Sequence, residues 1–446
     1  MLSRTKKVYD VTIIGAGVVG TSCALDLSRR GYKVAVIDKN SDAGSGTTSY
    51  SSGICRMFYS QIDSVKLSYE GYHIFREWDR FIGDIDKRGM ASLNNCGGLI
   101  LKTENSKKFL KSTVPLMKSV GVPIEEWNKE ETQKNLSVLG ININDSFNPS
   151  KVDDNNFGIP VEGREVEGAI YMPDTGYVSD PQLVCKNMEF SSKKEGCKYL
   201  YNSEIVDILK DNNRVQGVKL KNGEVISSRM VLNAAGAHSN KITEMAFKNI
   251  ENDMKLTTRP LRHEVCVVPS PKGVNFSENG MFIVDLDTGV HFRPETGNRI
   301  LIGSNDPECD EQKIIEDIDN YSLDLSEQWD TQVYRGALRI PDLPIAQGKN
   351  KQGIVSFYDI TEDWTPIYDK SSLKGYFMAI GTSGNQFKNA GVIGKVIGDI
   401  IYMNDMGVNT DVENISSYMP NIKEIINLKS FSRLRELLDT NKSVWS

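Results

Sequence analysis

An apolar, β-branched run, Val11-Thr-Ile-Ile14, enters Gly15-Ala-Gly17-Val-Val-Gly20, and a second such run closes at Val36-Ile37-Asp38. No other segment constrains the fold as strongly. A strand that feeds a turn of glycines and then a helix, roughly residues 18–30, points unpaired N–H groups and a positive dipole end at one place, where a pyrophosphate is favoured. Asp38, ending the second strand, is placed to hydrogen-bond a ribose hydroxyl. Glycine-rich turns start many helices, so the spacing alone says little. Here strand, turn, amphipathic helix, Gly31-Tyr32 turn, second strand and terminal acid follow in order, and the pattern reads as an adenine-dinucleotide site that founds the fold.

With 446 residues, 39% of them apolar, the chain is long enough for two lobes or one large interleaved domain. A net charge of −6 without a long basic run argues against nucleic acid. The first ten residues carry no apolar leader, and the apolar stretch at 11–19 is too short to cross a bilayer. A soluble, cytoplasmic protein with no transmembrane segment is expected. Cys23, Cys55, Cys96, Cys185, Cys197, Cys266 and Cys309 are an odd set with no CxxC spacing. They read as reduced, mostly buried thiols, with no iron–sulfur cluster and no other metal site.

There is no repeat and no low-complexity linker. Residues 63–80 read as a helix, Gly97–Leu101 as a strand, 105–121 as an amphipathic helix and the Asn/Asp-rich 140–165 as loop. Asp174-Thr-Gly176 turns the chain towards a helix after Pro181. Strands are expected at 204–209 and 215–220, with a tight turn at Asn222-Gly223. The buried run Arg229–Asn233 ends in small residues, Ala234-Ala-Gly236-Ala-His238, that permit close approach. Residues 289–294 and 300–303 read as paired strands, Tyr376–Gly381 as another, and 390–403 as an apolar helix. The tail, 411–446, is expected to be helical, with Ile425, Leu428, Phe431, Leu434 and Leu438 near one face of a helix over 422–438.

The order of the dinucleotide unit, Pro173-Asp-Thr-Gly176, Asn233-Ala-Ala-Gly236, His291-Phe-Arg-Pro294 and Gly384-Asn-Gln-Phe-Lys388 resembles the D-amino acid oxidase superfamily over roughly residues 8–404. Within it the chain is most similar to the branch of sarcosine oxidase, dimethylglycine dehydrogenase and dye-linked proline dehydrogenase. The resemblance implies an α/β (α+β) architecture, a glutathione-reductase-like FAD-binding Rossmann domain assembled from discontinuous segments plus a mixed-sheet substrate domain. The implied cofactor segments are 1–90, 176–256 and 346–410, and the implied substrate segments 91–175 and 257–345.

The resemblance also implies FAD as cofactor. Gly15, Gly17 and Gly20, with Val18 and Val19, would hold its pyrophosphate, Asp38 and Lys39 the adenosine ribose, and Val206 would lie near the adenine. Thr47, Thr48, Ser51, Ser52 and Gly53 would line the flavin's approach. Ala235, Gly236, His238, Ser356, Gly384, Asn385, Gln386, Phe387 and Lys388 would complete its surroundings. Arg56, by itself a salt-bridged structural cation, matches the family arginine that clamps a substrate carboxylate, and Lys388 matches its lysine partner. His291 and Tyr358 would shape the substrate cavity.

The implied reaction is hydride transfer from the α-carbon of a small secondary or N-methyl amino acid, sarcosine-like or proline-like, to flavin N5. The imine then hydrolyses. No dedicated base is needed if the site desolvates the ammonium. Departures from the family pattern matter. Ser356 stands where the monomeric sarcosine oxidases attach FAD through cysteine, so the flavin is expected to be noncovalent. Leu301 stands where a lysine promotes reaction with oxygen, which favours a dehydrogenase over an oxidase. Asn385-Gln386 replace the family histidine turn. The electron acceptor (O2, a quinone or a protein partner) and the oligomeric state are left open. So are a glycerol-3-phosphate or 2-hydroxy acid dehydrogenase, a noncatalytic or electron-relay flavin subunit, and a nicotinamide-dependent dehydrogenase.

Overall fold

The structure, a computed structural model, describes residues 8–440, 443 and 445. The leader reading therefore falls largely on residues 1–7, outside the described residues. Among the described residues no helix is long and apolar enough to cross a membrane.

Two eight-stranded sheets carry the chain. In the first, Val8–Ile14 lies between Val34–Ile37 and Val225–Asn233, parallel to both, and Tyr376–Ile380 runs parallel on the far side of Val225–Asn233. The register sets Ile14 beside Ile37 and Asn233, and Asn233 beside Met378. Four carboxyl ends therefore finish at one level, and the loops that follow them open on one crevice, which is where open parallel sheets bind ligands. Val34–Ile37 is buried at every position, as a strand covered on both faces must be. The cover on one face is helix Val18–Arg29, packed against the apolar helix Ala390–Asp405.

The second sheet is mixed: Gln352–Ile360, Arg259–Pro269, Arg299–Ser304, Val290–Glu295, Phe282–Asp285, Gly98–Lys102, Gly168–Met172 and Glu125–Asn128, in that order. The period of two along each strand separates its faces. Cys266, Val268, Phe292, Ile300 and Ile302 join Trp329 and Val333 of helix Glu327–Ala337 in a core of their own. Their sequence neighbours, among them His263, His291, Leu301 and Ser356, face the other way, towards the first sheet.

Two expectations fail here. Gln352–Ile360 pairs with Arg259–Pro269 along nearly its whole length, so the return to the first sheet comes after Ile360 and not at residue 346. The tail is not helical: Ser416–Met419 and Glu424–Asn427 form a hairpin, followed by a short 3-10 turn, Leu428–Phe431. The helical spacing of apolar residues is overruled by two carboxylates on helix Ile62–Arg76. Glu70 accepts from the backbone N–H groups of Asn421 and Ile422 at 3.0 and 3.2 Å, and Asp63 from that of Asn427 at 3.1 Å. Carboxylates 1% and 8% exposed demand such donors. A helix over 422–438 would have consumed the Asn427 N–H that Asp63 takes, so the tail stays extended, with Ile426, Leu428 and Phe431 buried and Ile425 left exposed.

Candidate active site

A cavity of about 410 Å³ runs between the two sheets. At one end its wall is the glycine turn. Gly15 sits at φ +105°, and a Cβ there would stand 2.4 Å from the carbonyl oxygen of Ala234, so only glycine lets the turn lie against the neighbouring loop. Gly20 is not on the wall. It lies behind the turn, where a Cβ would stand 1.9 Å from the Gly15 carbonyl oxygen, and its part is to bring the helix onto the turn. Gly15, Gly17, Val18 and Val19 face the cavity, as do Thr47, Thr48, Ser51 and Ser52 from the next loop.

Asp38 faces the cavity too, but its carboxylate does more than await a ribose. It accepts from the N–H groups of Ala16 and Asn40, each at 2.7 Å, and so fixes the turn itself. Thr48 Oγ1 accepts from Val18 N–H at 3.1 Å. Ala235, Gly236 and His238 line the side formed by the third strand's loop. Near that mouth Lys39, His238 and Lys241 converge on Asp319, a residue contributed by the stretch after the second sheet's Arg299–Ser304. His238 Nε2 lies 2.8 Å and Lys241 Nζ 3.3 Å from its carboxylate, and Lys39 Nζ pairs with it directly. The cluster holds the Asp319 carboxyl well below the usual range, chiefly through Lys39 and His238 against a desolvation cost.

Val206 is misplaced in the sequence reading: it is 40% exposed, while Ile205 turns inward with Ser203 and Glu204. Strand alternation decides this. Gly53 is also off the wall, held at φ +64° against the carbonyl of Val178 by the pairing of Ile54–Cys55 with the Gly176–Val178 strand.

The other end of the cavity is walled by Ser356, Tyr358, Gly384, Gln386 and Phe387, and by His263, which sequence reasoning missed. His263 Nε2 lies 2.9 Å from Asp306 Oδ1, and its ring stacks on Tyr358 at 4.5 Å. Burial alone would lower the pKa of this imidazole, but Asp306 reverses the sign and raises it. Burial raises the Tyr358 phenol. His263 shares a strand face with Leu261 and Val265, and that period-two signal was available in the sequence.

Arg56, Lys388, His291 and Asn385 lie beyond this wall and not on it. Arg56, 4% exposed, donates to the Phe58 carbonyl at 3.0 Å, and its guanidinium carbon stands 4.3 Å from the Trp445 ring, 4.5 Å from Tyr59 and 4.8 Å from Phe58. Lys388 Nζ donates to Tyr59 Oη at 2.7 Å and to the Asn385 carbonyl at 2.5 Å. Among the described residues no carboxylate pairs with it. Burial, and then the like charge of Arg56, push its pKa well below the ordinary lysine value. Tyr59 thus bridges the two cations. His291 Nδ1 lies 3.0 Å from Asn305 Oδ1, and burial pushes its pKa down to about 3, with Arg56 and Arg293 adding to the effect. The carboxylate of Asp359, on the cavity wall, takes the N–H of Gly381 at 2.7 Å and the hydroxyl of Ser239 at 2.9 Å. It ties the two sheets together, and burial raises its pKa to about 7.

A dinucleotide crevice at the ends of a parallel sheet, closed by a mixed sheet, defines a two-lobed redox fold. The chain belongs to the family of FAD-dependent oxidoreductases described as DAO, whose model matches residues 10–400, and FAD is its cofactor. It is 22% identical over 411 residues to glycine oxidase of Geobacillus kaustophilus (strain HTA426), covering 88% of this chain and 93% of the relative. It is 26% identical over 301 residues to glycerol 3-phosphate dehydrogenase of Caloramator mitchellensis, covering 66% of this chain and 55% of the relative. Among solved structures, L-proline dehydrogenase from P. horikoshii superposes with a TM-score of 0.70 at 22% identity, over 91% of this chain and 100% of the other. Glycine oxidase from Geobacillus kaustophilus does so with a TM-score of 0.71 at 20% identity, over 97% and 100%.

Proposed function

We propose that this enzyme oxidises the C–N bond of a small amino acid, sarcosine-like or proline-like, and that Arg56 and Lys388 bind its carboxylate. The observation that carries the reading is the pair of buried cations on either side of Tyr59. Lys388 has no carboxylate partner among the described residues, a buried cation without one is costly, and a substrate carboxylate would supply it. Full-length similarity to a glycine oxidase and to a proline dehydrogenase supports the choice of substrate class.

FAD, when bound, supplies the hydride acceptor. Gly15, Gly17 and the start of helix Val18–Arg29 receive its pyrophosphate, and Tyr358, Gln386 and Phe387 wall the end where its ring would lie. Arg56 orients the carboxylate in the guanidinium plane while the aromatic rings hold the guanidinium faces. Lys388 Nζ pairs with the carboxylate, whose charge offsets the burial that weakens the lysine's hold on its proton. His291, neutral across the working range, packs beside the substrate without competing for that proton. The imine leaves and hydrolyses. Ser356 offers no thiol, so acid precipitation should release the flavin into the supernatant. With Leu301 in place of a cation, air should reoxidise the reduced protein slowly, and a quinone or a protein partner would be the acceptor.

The test is anaerobic titration of the flavin spectrum with sarcosine, L-proline, glycine, dimethylglycine, glycerol-3-phosphate and 2-hydroxyglutarate. Bleaching by an amino acid supports the reading, and bleaching by glycerol-3-phosphate alone replaces it. That second reading is favoured by the 26% identical relative, since the same cations suit a phosphate. A flavin that nothing bleaches would mark an electron-relay subunit. Arg56→Ala and Lys388→Ala should each raise KM at least about 30-fold, equivalent to losing about 2 kcal/mol or more. An unchanged KM in both would remove the clamp.

A further inference from the structure

On the cavity wall His263 stands opposite Ser356 in the strand register, with its ring stacked on Tyr358 at 4.5 Å and its Nε2 2.9 Å from Asp306 Oδ1. The carboxylates of Asp306, Asp310 and Glu264 all act on this imidazole. Two of them have guanidinium partners of their own, Asp310 in Arg335 and Glu264 in Arg262. Asp306 has no arginine or lysine beside it among the described residues. It is paired with His263, and its Oδ2 is left without a partner. The side chains of the pair are 8% and 10% exposed, and a carboxylate so far out of water needs a positive partner. Asp306 is also held at φ +54°, in the left-handed region that residues other than glycine seldom adopt, where the turn after Arg299–Ser304 sets its carboxylate against the ring.

The pair has a direction. His263 lies on the cavity wall and Asp306 does not, so the positive member is the one that meets whatever fills the cavity. Burial works against a charge on this ring, but the carboxylates outweigh it and raise its pKa. The aromatic groups nearest to it stay uncharged: burial raises the Tyr358 phenol and pushes His291 down to about 3. Asp359, next to Tyr358 on the same strand, is turned to Ser239 and the Gly381 N–H. The Nδ1 of His263 is buried with no partner among the described residues, so the protein by itself makes one of the ring's two hydrogen bonds and leaves the other unmade.

We propose that His263, backed by Asp306, is a cation that stabilises the reduced flavin. The proposal rests on the reading that places the flavin ring at the Tyr358 end of the cavity, and it makes no use of the substrate's identity. Reduction by two electrons and one proton, delivered as hydride by the substrate or by a reductant in solution, leaves the ring with one negative charge more than its oxidised form carries. In a site of low dielectric constant a positive charge on the wall favours that state. His263 forms no bond and moves no proton in this role. It raises the potential at which the flavin is reduced.

The experiment measures the midpoint potential of the FAD-bound protein against a reference dye, without oxygen and at one pH, for the unaltered chain, His263→Gln, Asp306→Asn and the double variant. In His263→Gln the reduced form should lose at least about tenfold in stability relative to the oxidised form, a fall of about 30 mV for a two-electron couple. Asp306→Asn should fall by a similar amount, because the imidazole gives up its proton once the carboxylate is gone. The double variant should fall no further than either. A packing role would weaken the hold on both redox forms alike and leave the potential where it was. Asp306→Asn keeps the imidazole in the wall, so it decides should His263→Gln not retain flavin. An unchanged potential overturns the proposal, and so does a rise in Asp306→Asn, which would show the carboxylate setting the field at the ring. Tyr358→Leu separates the two ways of failing through the visible spectrum of the bound flavin. A changed spectrum with unchanged potentials defeats His263 alone, and an unchanged spectrum with unchanged potentials defeats the placement of the ring as well.

Discussion

At the nucleotide end the cavity wall is backbone and small side chains: Gly15 pressed on Ala234, Asp38 holding the N–H groups of Ala16 and Asn40, Thr48 on Val18. At the substrate end it is large side chains brought from distant segments: Tyr358 under His263, Tyr59 between Arg56 and Lys388, and Trp445 against Arg56. The first kind of wall recognises a group common to many enzymes and tolerates little change, because a backbone cannot move aside. The second kind is built of side chains, which can rotate where a backbone cannot, and it carries the buried cation Lys388, with no carboxylate paired to it among the described residues. Binding is therefore expected to be coupled to stability at one end and opposed to it at the other.

The largest effect should come from Gly15→Ala. The residue would be strained at φ +105° and its Cβ would strike the Ala234 carbonyl, together costing on the order of 3–5 kcal/mol. The variant should purify without flavin, read from the ratio of visible to ultraviolet absorbance. Stoichiometric FAD with an unchanged melting temperature would break the contrast at its stronger end.

Lys388→Met tests the opposite end. It removes a buried charge that faces a like charge, so the melting temperature should hold or rise, by up to about 2 kcal/mol in stability, while carboxylate affinity falls. A marked fall in melting temperature would mean that Lys388 serves packing more than binding.

Asp359, at the joint of the two sheets, gives a pH signature. With its pKa at about 7 in the folded protein and about 4 when unfolded, the folded state keeps its proton longer. Stability from this group is full below about pH 4, declines as pH rises towards 7 and is level above, a span on the order of 4 kcal/mol. Melting temperatures of Asp359→Asn should lack that decline, and an identical profile in both proteins would remove Asp359 as the cause.

The smallest effect is at the mouth. Asp319 and Lys39 are about 40% exposed, and solvent screening leaves such pairs less than about 1 kcal/mol. Asp319→Ala should speed FAD release a few-fold in a dilution assay and leave the melting temperature of the FAD-free protein where it was.

The nucleotide end was legible because its determinants are local. A strand, a glycine turn and a helix follow one another within a few residues, and hydrogen bonds between near neighbours make the site. The pairing of Val290–Glu295 with Arg299–Ser304 and the helix at 390 were legible for the same reason. Val206 failed because naming a strand does not say which of two adjacent residues turns inward. The tail failed because its helical spacing was judged without Asp63 and Glu70, some 350 residues earlier in the chain.

The sequence by itself determined a dinucleotide-binding α/β chain with a glycine turn at Gly15–Gly20, and its family resemblance singled out Arg56 and Lys388, the pair proposed to bind a carboxylate. Only the tertiary structure decided that Tyr59 joins those cations, that His263 and Asp306 flank Tyr358, and that Trp445 fills the space beside Arg56. The physical reason is range. Backbone geometry and glycine's freedom act between neighbours, whereas burial, which sets the charge on Lys388, the proton on Asp359 and the place of the tail, exists only once segments far apart in the chain have excluded water from between them.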